Sequence, residues 1–318
     1  MELIRGQHNL RPRHHGCVAT IGNFDGVHLG HQAILRQLAE QAAIFELPVT
    51  VITFEPQPQE FFAPDAAPAR LMRLREKLLA LQPLGVERVV CLEFDQRLAA
   101  VPAWVFIREL LVTQLGIRYL VVGDDFRFGR HREGDFELLR RAGQAHEFQV
   151  ANTHSTICNG QRVSSTRIRE ALARGEVALA ERLLGRPYSI CGRVAHGDKR
   201  GRTIGFPTAN IHLHRRITPL AGVYAVVMHG VKPEPLAGVA NVGRRPTVNG
   251  IHDQLEVHLF DFQQDIYGCH VQVDFLVYLR PEQRFESLDA LRRQIQQDAC
   301  RARSFFADPA QRSARRHG

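Results

Sequence analysis

The chain predicts an α/β domain followed by a β domain: a doubly wound parallel sheet, then a small antiparallel barrel with a C-terminal helix. Three observations predict this. Short β-branched runs alternate with segments of helical period up to about Leu183. From Tyr188 onward, apolar residues recur at every second position between frequent glycine turns. Near the end a helical stripe returns through Leu291, Ile295 and Ala299.

The elements follow in order. Cys17–Ile21 is a short apolar run that reads as a strand. Residues 33–45 are helical in period, with Ile34, Leu35, Leu38, Ala42 and Ile44 at the apolar positions. Residues 48–54 (PVTVITF) form a buried strand, 70–81 a helix and 88–92 a strand. A helix over 102–115 opens on Pro102, where the missing N–H costs nothing. Residues 118–123 are strand, 135–145 helix and 148–153 strand. The β-α-β-α order implies a parallel sheet covered on both faces, with ligands beyond the carboxyl ends of its strands. Gly185 and Pro187 mark the junction, glycine ending a helix and proline preventing its continuation. Later strands fall at 223–228, 236–242, 255–260 and 270–279. In the third of these, Leu255, Val257 and Leu259 share one face and Glu256, His258 and Phe260 the other. Ser287, Asp289 or a neighbour caps the final helix. The expected domains are 1–183 and 184–308, with a basic disordered tail over 309–318.

Composition narrows the class. The 318 residues are 44% hydrophobic and 23% charged, an ordinary globular balance. No apolar run of membrane-spanning length occurs, and the N-terminus has no signal-like apolar region, so a cytoplasmic location is expected. The six cysteines show neither zinc spacing nor a disulfide framework. The net charge of +8 favours an anionic partner, but the basic residues are scattered, which argues against a nucleic-acid groove. The partners expected are small molecules, with no nucleic acid and no membrane; oligomeric state is left open.

The first constellation is GNFDGVHLGH at 22–31. Gly22, Gly26 and Gly30 allow a tight turn and a close backbone approach to a ligand. His28 and His31 fall on one side of a helix start, where free N–H groups and the helix dipole favour an anion. Two such donors suit the charge that builds on a pentavalent phosphorus, each worth roughly 2.7–4 kcal/mol by deletion. No Walker A loop occurs in the chain. Metal ligation or a structural turn is the plainer alternative for the two histidines.

This motif closely resembles that of the His-x-Gly-His nucleotidylyltransferase superfamily, in the wording of its bacterial FAD synthetase branch. Three segments extend the resemblance. Residues 53–58 (TFEPQP) are similar to the family's T-F-x-P-H-P segment, 123–129 (GDDFRFG) to its flavin-side loop, and 164–169 (SSTRIR) to its S-S-T-x-x-R segment. The likeness implies a Rossmann-like first domain that binds ATP through Gly22, Asn23, Phe24, Gly30, Ser164, Ser165 and Thr166. It implies catalytic roles for His28, His31 and Arg167, and flavin contacts by Asp125, Phe126 and Phe128. Independently, the three hydroxyl residues can cap a helix and meet phosphate, and Arg167 can brace a leaving pyrophosphate. Phenylalanine more often packs a core than stacks on a ligand. The chain departs from the family at Gln57, where histidine is usual. Glutamine carries no proton at neutral pH, so an ionic role there is lost.

A second cluster spans 192–211. Glycines at Gly197, Gly201 and Gly205 flank Lys199 and Arg202, a composition suited to a polyphosphate. Thr208 and Asn210 offer oxygen ligands two residues apart, enough for a magnesium ion that keeps waters and ATP phosphates. Alone, this is an ordinary turn-rich connection. With 222–225, 240–247, 256–262, 265–268 and 279–282 it resembles the riboflavin kinase domain almost residue for residue. That likeness implies that Glu256 takes the proton of the attacking ribityl hydroxyl, worth roughly 10²–10⁴ in rate, and that Arg280 lies on the flavin side.

The order, adenylyltransferase first and kinase second, is that of the prokaryotic FAD synthetases. It implies riboflavin and ATP giving FMN, then FMN and ATP giving FAD, with Mg2+ in both steps. The rivals are a kinase with an impaired first head, a regulatory flavin-binding second half, and a basic nucleic-acid-binding protein on a nucleotidyltransferase fold.

Overall fold

The structure is a computed structural model that describes residues 1–153, 156–196, 205–213, 215, 217–247 and 250–308, with backbone alone at 244–247 and 250–252. It divides into two units. One comprises Met1–Pro68 and Leu74–Ser164, the other Ala69–Arg73 and Ser165–Gly318.

The first unit is built on six strands: β1 (Glu2–Arg5), β2 (Cys17–Ile21), β3 (Val49–Glu55), β4 (Arg88–Glu93), β5 (Ile117–Gly123) and β6 (Gln149–Thr153). They lie in the order β1-β4-β3-β2-β5-β6 with every pairing parallel. β2 is buried along its whole length, as apolar runs must be when helices cover both faces. From β2 the chain steps to β3 and β4 on one side, and later to β5 and β6 on the other. The order therefore reverses at β2, and the carboxyl ends of β2 and β5 border the crevice where such sheets bind ligands. A small hairpin, β7 (Ile157–Cys158) with β8 (Gln161–Arg162), follows.

Several elements depart from the sequence reading, and three of the departures have a clear cause. β1 was unforeseen because four residues on a sheet edge, of which only Ile4 is buried, carry no clear period. The helix expected over 70–81 begins only at Leu74. Before it, the carbonyls of Ala69, Arg70 and Leu71 accept hydrogen bonds from side chains of the second unit and so do not enter a helical ladder. The helix over 102–115 is α-helical at Ala103–Val105 and π-wound over Phe106–Gln114. Both windings keep Phe106, Ile107, Leu110 and Leu111 together in the core, so the sequence pattern does not separate them.

In the second unit, helices Ser165–Ala173 and Val177–Leu184 lead to Gly185, whose left-handed φ of 72° closes the latter. Six strands then form a closed antiparallel barrel: β9 (Tyr188–Ala195), β10 (Ala209–His212), β11 (Gly222–His229), β12 (Leu236–Thr247), β13 (Gly250–Leu259) and β14 (His270–Arg280). Their order is β10-β13-β12-β11-β14-β9. Leu255, Val257 and Leu259 are buried, as the alternation on β13 requires. The helix Leu288–Ala307 packs Ala302 and Phe305 against Val223, Ala225 and Phe260. Ser287 caps it by accepting the Ala290 N–H at 3.2 Å. Arg280 of β14 pins the same helix through Asp298 at 2.8 Å. Among the described residues no helix is long and apolar enough to cross a membrane. The tail over 309–318 lies outside the described residues.

Candidate active sites

The first site grows out of the turn after β2. Phe24, Gly26 and Val27 take φ values of 48°, 90° and 42°. A β-branched residue such as Val27 is strained there by about 1–3 kcal/mol. Its surroundings hold it, since Phe24, Asp25 and Val27 are all buried. The turn delivers the chain directly into the helix Leu29–Phe45, with His28 as its N-cap. His28 Nδ1 accepts the His31 N–H at 3.3 Å. In a neutral ring the proton then sits on Nε2, which becomes a donor beside the helix start. The two imidazoles stack at 3.7 Å between centroids, tilted by 16°, and Phe24 lies 4.7 Å from His31. A Cβ on Gly30 would come within 3.1 Å of the His28 ring. The H-x-G-H spacing thus has a steric reason as well as a chemical one.

Behind this turn the structure places a lysine that the sequence did not mark. Lys77 is 1% exposed, and its Nζ donates to Thr53 Oγ1 at 3.2 Å. The Thr53 hydroxyl in turn donates to the carbonyl of Asn23 at 3.4 Å. A lysine in an amphipathic helix reads as solvated, so only the fold reveals it. Phe54, Phe61, Phe62 and Phe94 meet edge to face with centroids 5.2–5.8 Å apart, and Phe62 remains 67% exposed. Gln57 is buried, and among the described residues its Nε2 has no hydrogen-bond partner.

The loop after β5 holds Asp125, which with Asp124 faces Arg162 at 3.3 and 3.0 Å. Phe126 and Phe128 stack on each other at 5.5 Å, tilted by 14°. Phe128 itself is buried against Phe106, so it supports Phe126 from the core. Ser164 ends the first unit. Ser165, Thr166 and Arg167 form the first turn of the helix Ser165–Ala173, which belongs to the second.

In the second unit, Glu256 on β13 pairs in register with Asn210 on β10 and with Asn241 on β12. These three side chains therefore share one face of the barrel wall, with neighbouring Cβ atoms roughly 4.5–5.5 Å apart. Gln254 Nε2 donates to Asn210 Oδ1 at 2.6 Å, which fixes the carboxamide with its oxygen in place. His258 Nδ1–H donates to the Pro207 carbonyl at 2.9 Å and so tethers the segment leading into Thr208. Thr208 and Asn210 line a cavity of about 470 Å³, together with Val257 and the segment 262–267. His196 stacks at 3.9 Å on Tyr267, one of the lining residues. Gly205 has a left-handed φ of 85°, and no atom of the described residues lies within 4 Å of where its Cβ would stand. Gly197, Lys199, Gly201 and Arg202 lie outside the described residues. Arg280 is engaged by Asp298 through Nε and Nη2 and by the Pro281 carbonyl through Nη1. Among the described residues no cluster of three or more His, Cys, Asp or Glu is arranged to hold a metal ion. Two neutral oxygen ligands beside a cavity suit a magnesium ion that is otherwise held by phosphates.

A parallel sheet with a histidine pair at its switch point, joined to a barrel whose cavity is lined in part by Thr208 and Asn210 with Glu256 in register beside Asn210, is the frame of a two-headed transferase acting on nucleotides. Residues 10–167 match the family model for FAD synthetase, and residues 184–306 that for riboflavin kinase. The bifunctional riboflavin kinase/FMN adenylyltransferase of Escherichia coli K12 is 56% identical over 307 residues, covering 96% of this chain and 98% of that protein. The protein of the same name from Pseudomonas fluorescens is 52% identical over 313 residues, covering 98% of this chain and 100% of its own. A solved structure described as a macrolide-efflux protein from Streptococcus pneumoniae superposes with a TM-score of 0.80 at 32% identity, covering 94% of this chain and 97% of that one. The chain belongs to the family of bifunctional riboflavin kinase/FMN adenylyltransferases.

Proposed function

We propose that the chain makes both flavin cofactors in sequence. It phosphorylates riboflavin with ATP to give FMN, and it adenylylates FMN with a second ATP to give FAD and pyrophosphate. One observation carries the reading: a single chain holds the histidine pair at the sheet's switch point and Glu256 in register between Asn210 and Asn241.

The kinase step needs a base for an alcohol nucleophile. Glu256 takes the hydroxyl proton as the oxygen attacks the terminal phosphorus, and ADP leaves. Thr208 and Asn210 would hold Mg2+, which supplies charge neutralisation to the phosphates. Gly197, Lys199, Gly201, Arg202 and Gly205 are assigned to the ATP phosphates, and Arg280 frames the flavin side from its buried pairing with Asp298.

In the adenylylation step the phosphate of FMN attacks the α-phosphorus of ATP and pyrophosphate departs. His28 offers its Nε2–H, and His31 a second imidazole, to the oxygens whose charge grows in the transition state. Gly22, Asn23, Phe24 and Gly30 shape the phosphate turn. Ser164, Ser165, Thr166 and Arg167 are assigned to the triphosphate and its leaving group. Asp125 and Phe126, with Phe128 behind, are assigned to the flavin. The functional halves are taken as 1–183 and 184–308, and the setting as cytoplasmic.

Purified protein given riboflavin, ATP and Mg2+ is expected to yield FMN and then FAD, read by chromatography of the flavins. FMN accumulating without FAD under excess ATP would leave only the kinase reading. Glu256→Gln is expected to lower FMN formation by about 10²–10⁴ and to leave FMN-to-FAD conversion within about twofold. His28→Ala is expected to do the reverse, at a cost of about 10²–10³ in adenylyl transfer. Equal loss of both activities in either variant would refute independent sites.

A further inference from the structure

Lysine is almost never fully buried, because taking an ammonium out of water is costly unless other groups compensate it. Lys77 is 1% exposed, and it lies behind the phosphate turn instead of on the helix face that meets water. Its place is specific. Nζ donates to Thr53 Oγ1, and this acceptance turns the threonine's own O–H toward the Asn23 carbonyl. Both links point the same way, so each polarises the next. The peptide joining Asn23 and Phe24 is planar and trans, so a carbonyl drawn toward Thr53 sends the Phe24 N–H to the opposite side. Thr53 is itself buried, so the relay works where water does not screen it.

We infer that Lys77 is a positioning residue for adenylyl transfer. Through Thr53 it fixes the Asn23–Phe24 peptide with its N–H turned to the triphosphate, and it sets a buried positive charge behind the turn. The inference rests on the adenylyl-transfer reading of the first site. No part of it concerns the flavin side or the kinase step.

The test uses the full-length enzyme with Mg2+ and compares wild type, Lys77→Met and Thr53→Val. Methionine keeps the stem without the charge, and valine keeps the shape of threonine without the hydroxyl. FAD formation is followed with FMN supplied, at varied ATP and at varied FMN. Both variants are expected to raise KM for ATP at least tenfold and to raise the inhibition constant of pyrophosphate in parallel. KM for FMN and the riboflavin kinase rate should stay within about twofold. A general loosening of the unit would instead raise both KM values together, and that outcome overturns the inference. So does an unchanged KM for ATP in Thr53→Val, the variant that decides the matter if Lys77→Met does not fold. No FAD from wild type would overturn the adenylyl-transfer reading itself, and this inference with it.

Discussion

Cys17 opens β2 and has no exposed surface. Burial pushes its thiol up to about 11, with the neighbouring Thr50 hydroxyl and the Arg88 charge opposing that rise. The consequence for stability has a definite sign. Well below pH 8.5 the thiol is neutral in both folded and unfolded chains. Above that, the unfolded chain releases the proton while the folded one keeps it, so stability falls as pH rises toward 11. The loss is on the order of 2–3 kcal/mol. Urea midpoints of the first unit should drop between pH 8.5 and 11, and Cys17→Val should flatten that slope. The same residue scale shows what sequence reading can reach. The placement of His28 and His31 together at a helix start was legible, because the surrounding glycines mark the turn and a spacing of three puts both rings on one side. Lys77 was not, because its meaning depends on which face of a helix the fold buries. Gln57 was legible only as a departure from the family.

Elements were legible where their period was strong. The strands β2, β3, β4 and β5 fall within a residue or two of their expected limits, because sheets covered on both faces demand continuous apolar runs. The last helix was legible for the same reason, through its stripe and its serine cap. Its anchoring was not. Asp298 and Arg280 are 18 positions apart, and only the closed barrel brings their side chains together. The side chains are 2% and 14% exposed, so removing the carboxylate strands a guanidinium away from water. Asp298→Ala is expected to destabilise the second unit by about 3–5 kcal/mol. Heat inactivation of riboflavin kinase should move to lower temperature by more than that of adenylyl transfer. A shift in both by the same amount would contradict a local role for the pair.

At the scale of the whole molecule, a parallel sheet followed by a barrel was legible from the change of grammar near Leu183, but the course of the chain between the two units was not: the second unit resumes at Ser165. Ala69–Arg73 leaves the first unit in mid-sequence and is held in the second. There Tyr188 and Arg215 donate to the Leu71 carbonyl at 3.1 and 3.3 Å, and Arg169 donates to that of Ala69 at 2.6 Å. Leu71 is completely buried. No local pattern announces this, since the same residues also fit a helical period. Leu71→Ala is expected to cost the second unit about 2–5 kcal/mol although the residue lies in the sequence of the first. Calorimetry should show one transition lowered and the other unmoved.

That five-residue loan bears on how such a protein can be rearranged. Two modules laid end to end can be traded between genes by a single crossover at their seam. Here a crossover after Ser164 would separate the barrel unit from a piece of itself encoded about a hundred codons upstream. A chimera made that way would set a foreign 69–73 segment against Tyr188, Arg169 and Arg215, so the two units are expected to have diverged as one lineage and not as interchangeable parts.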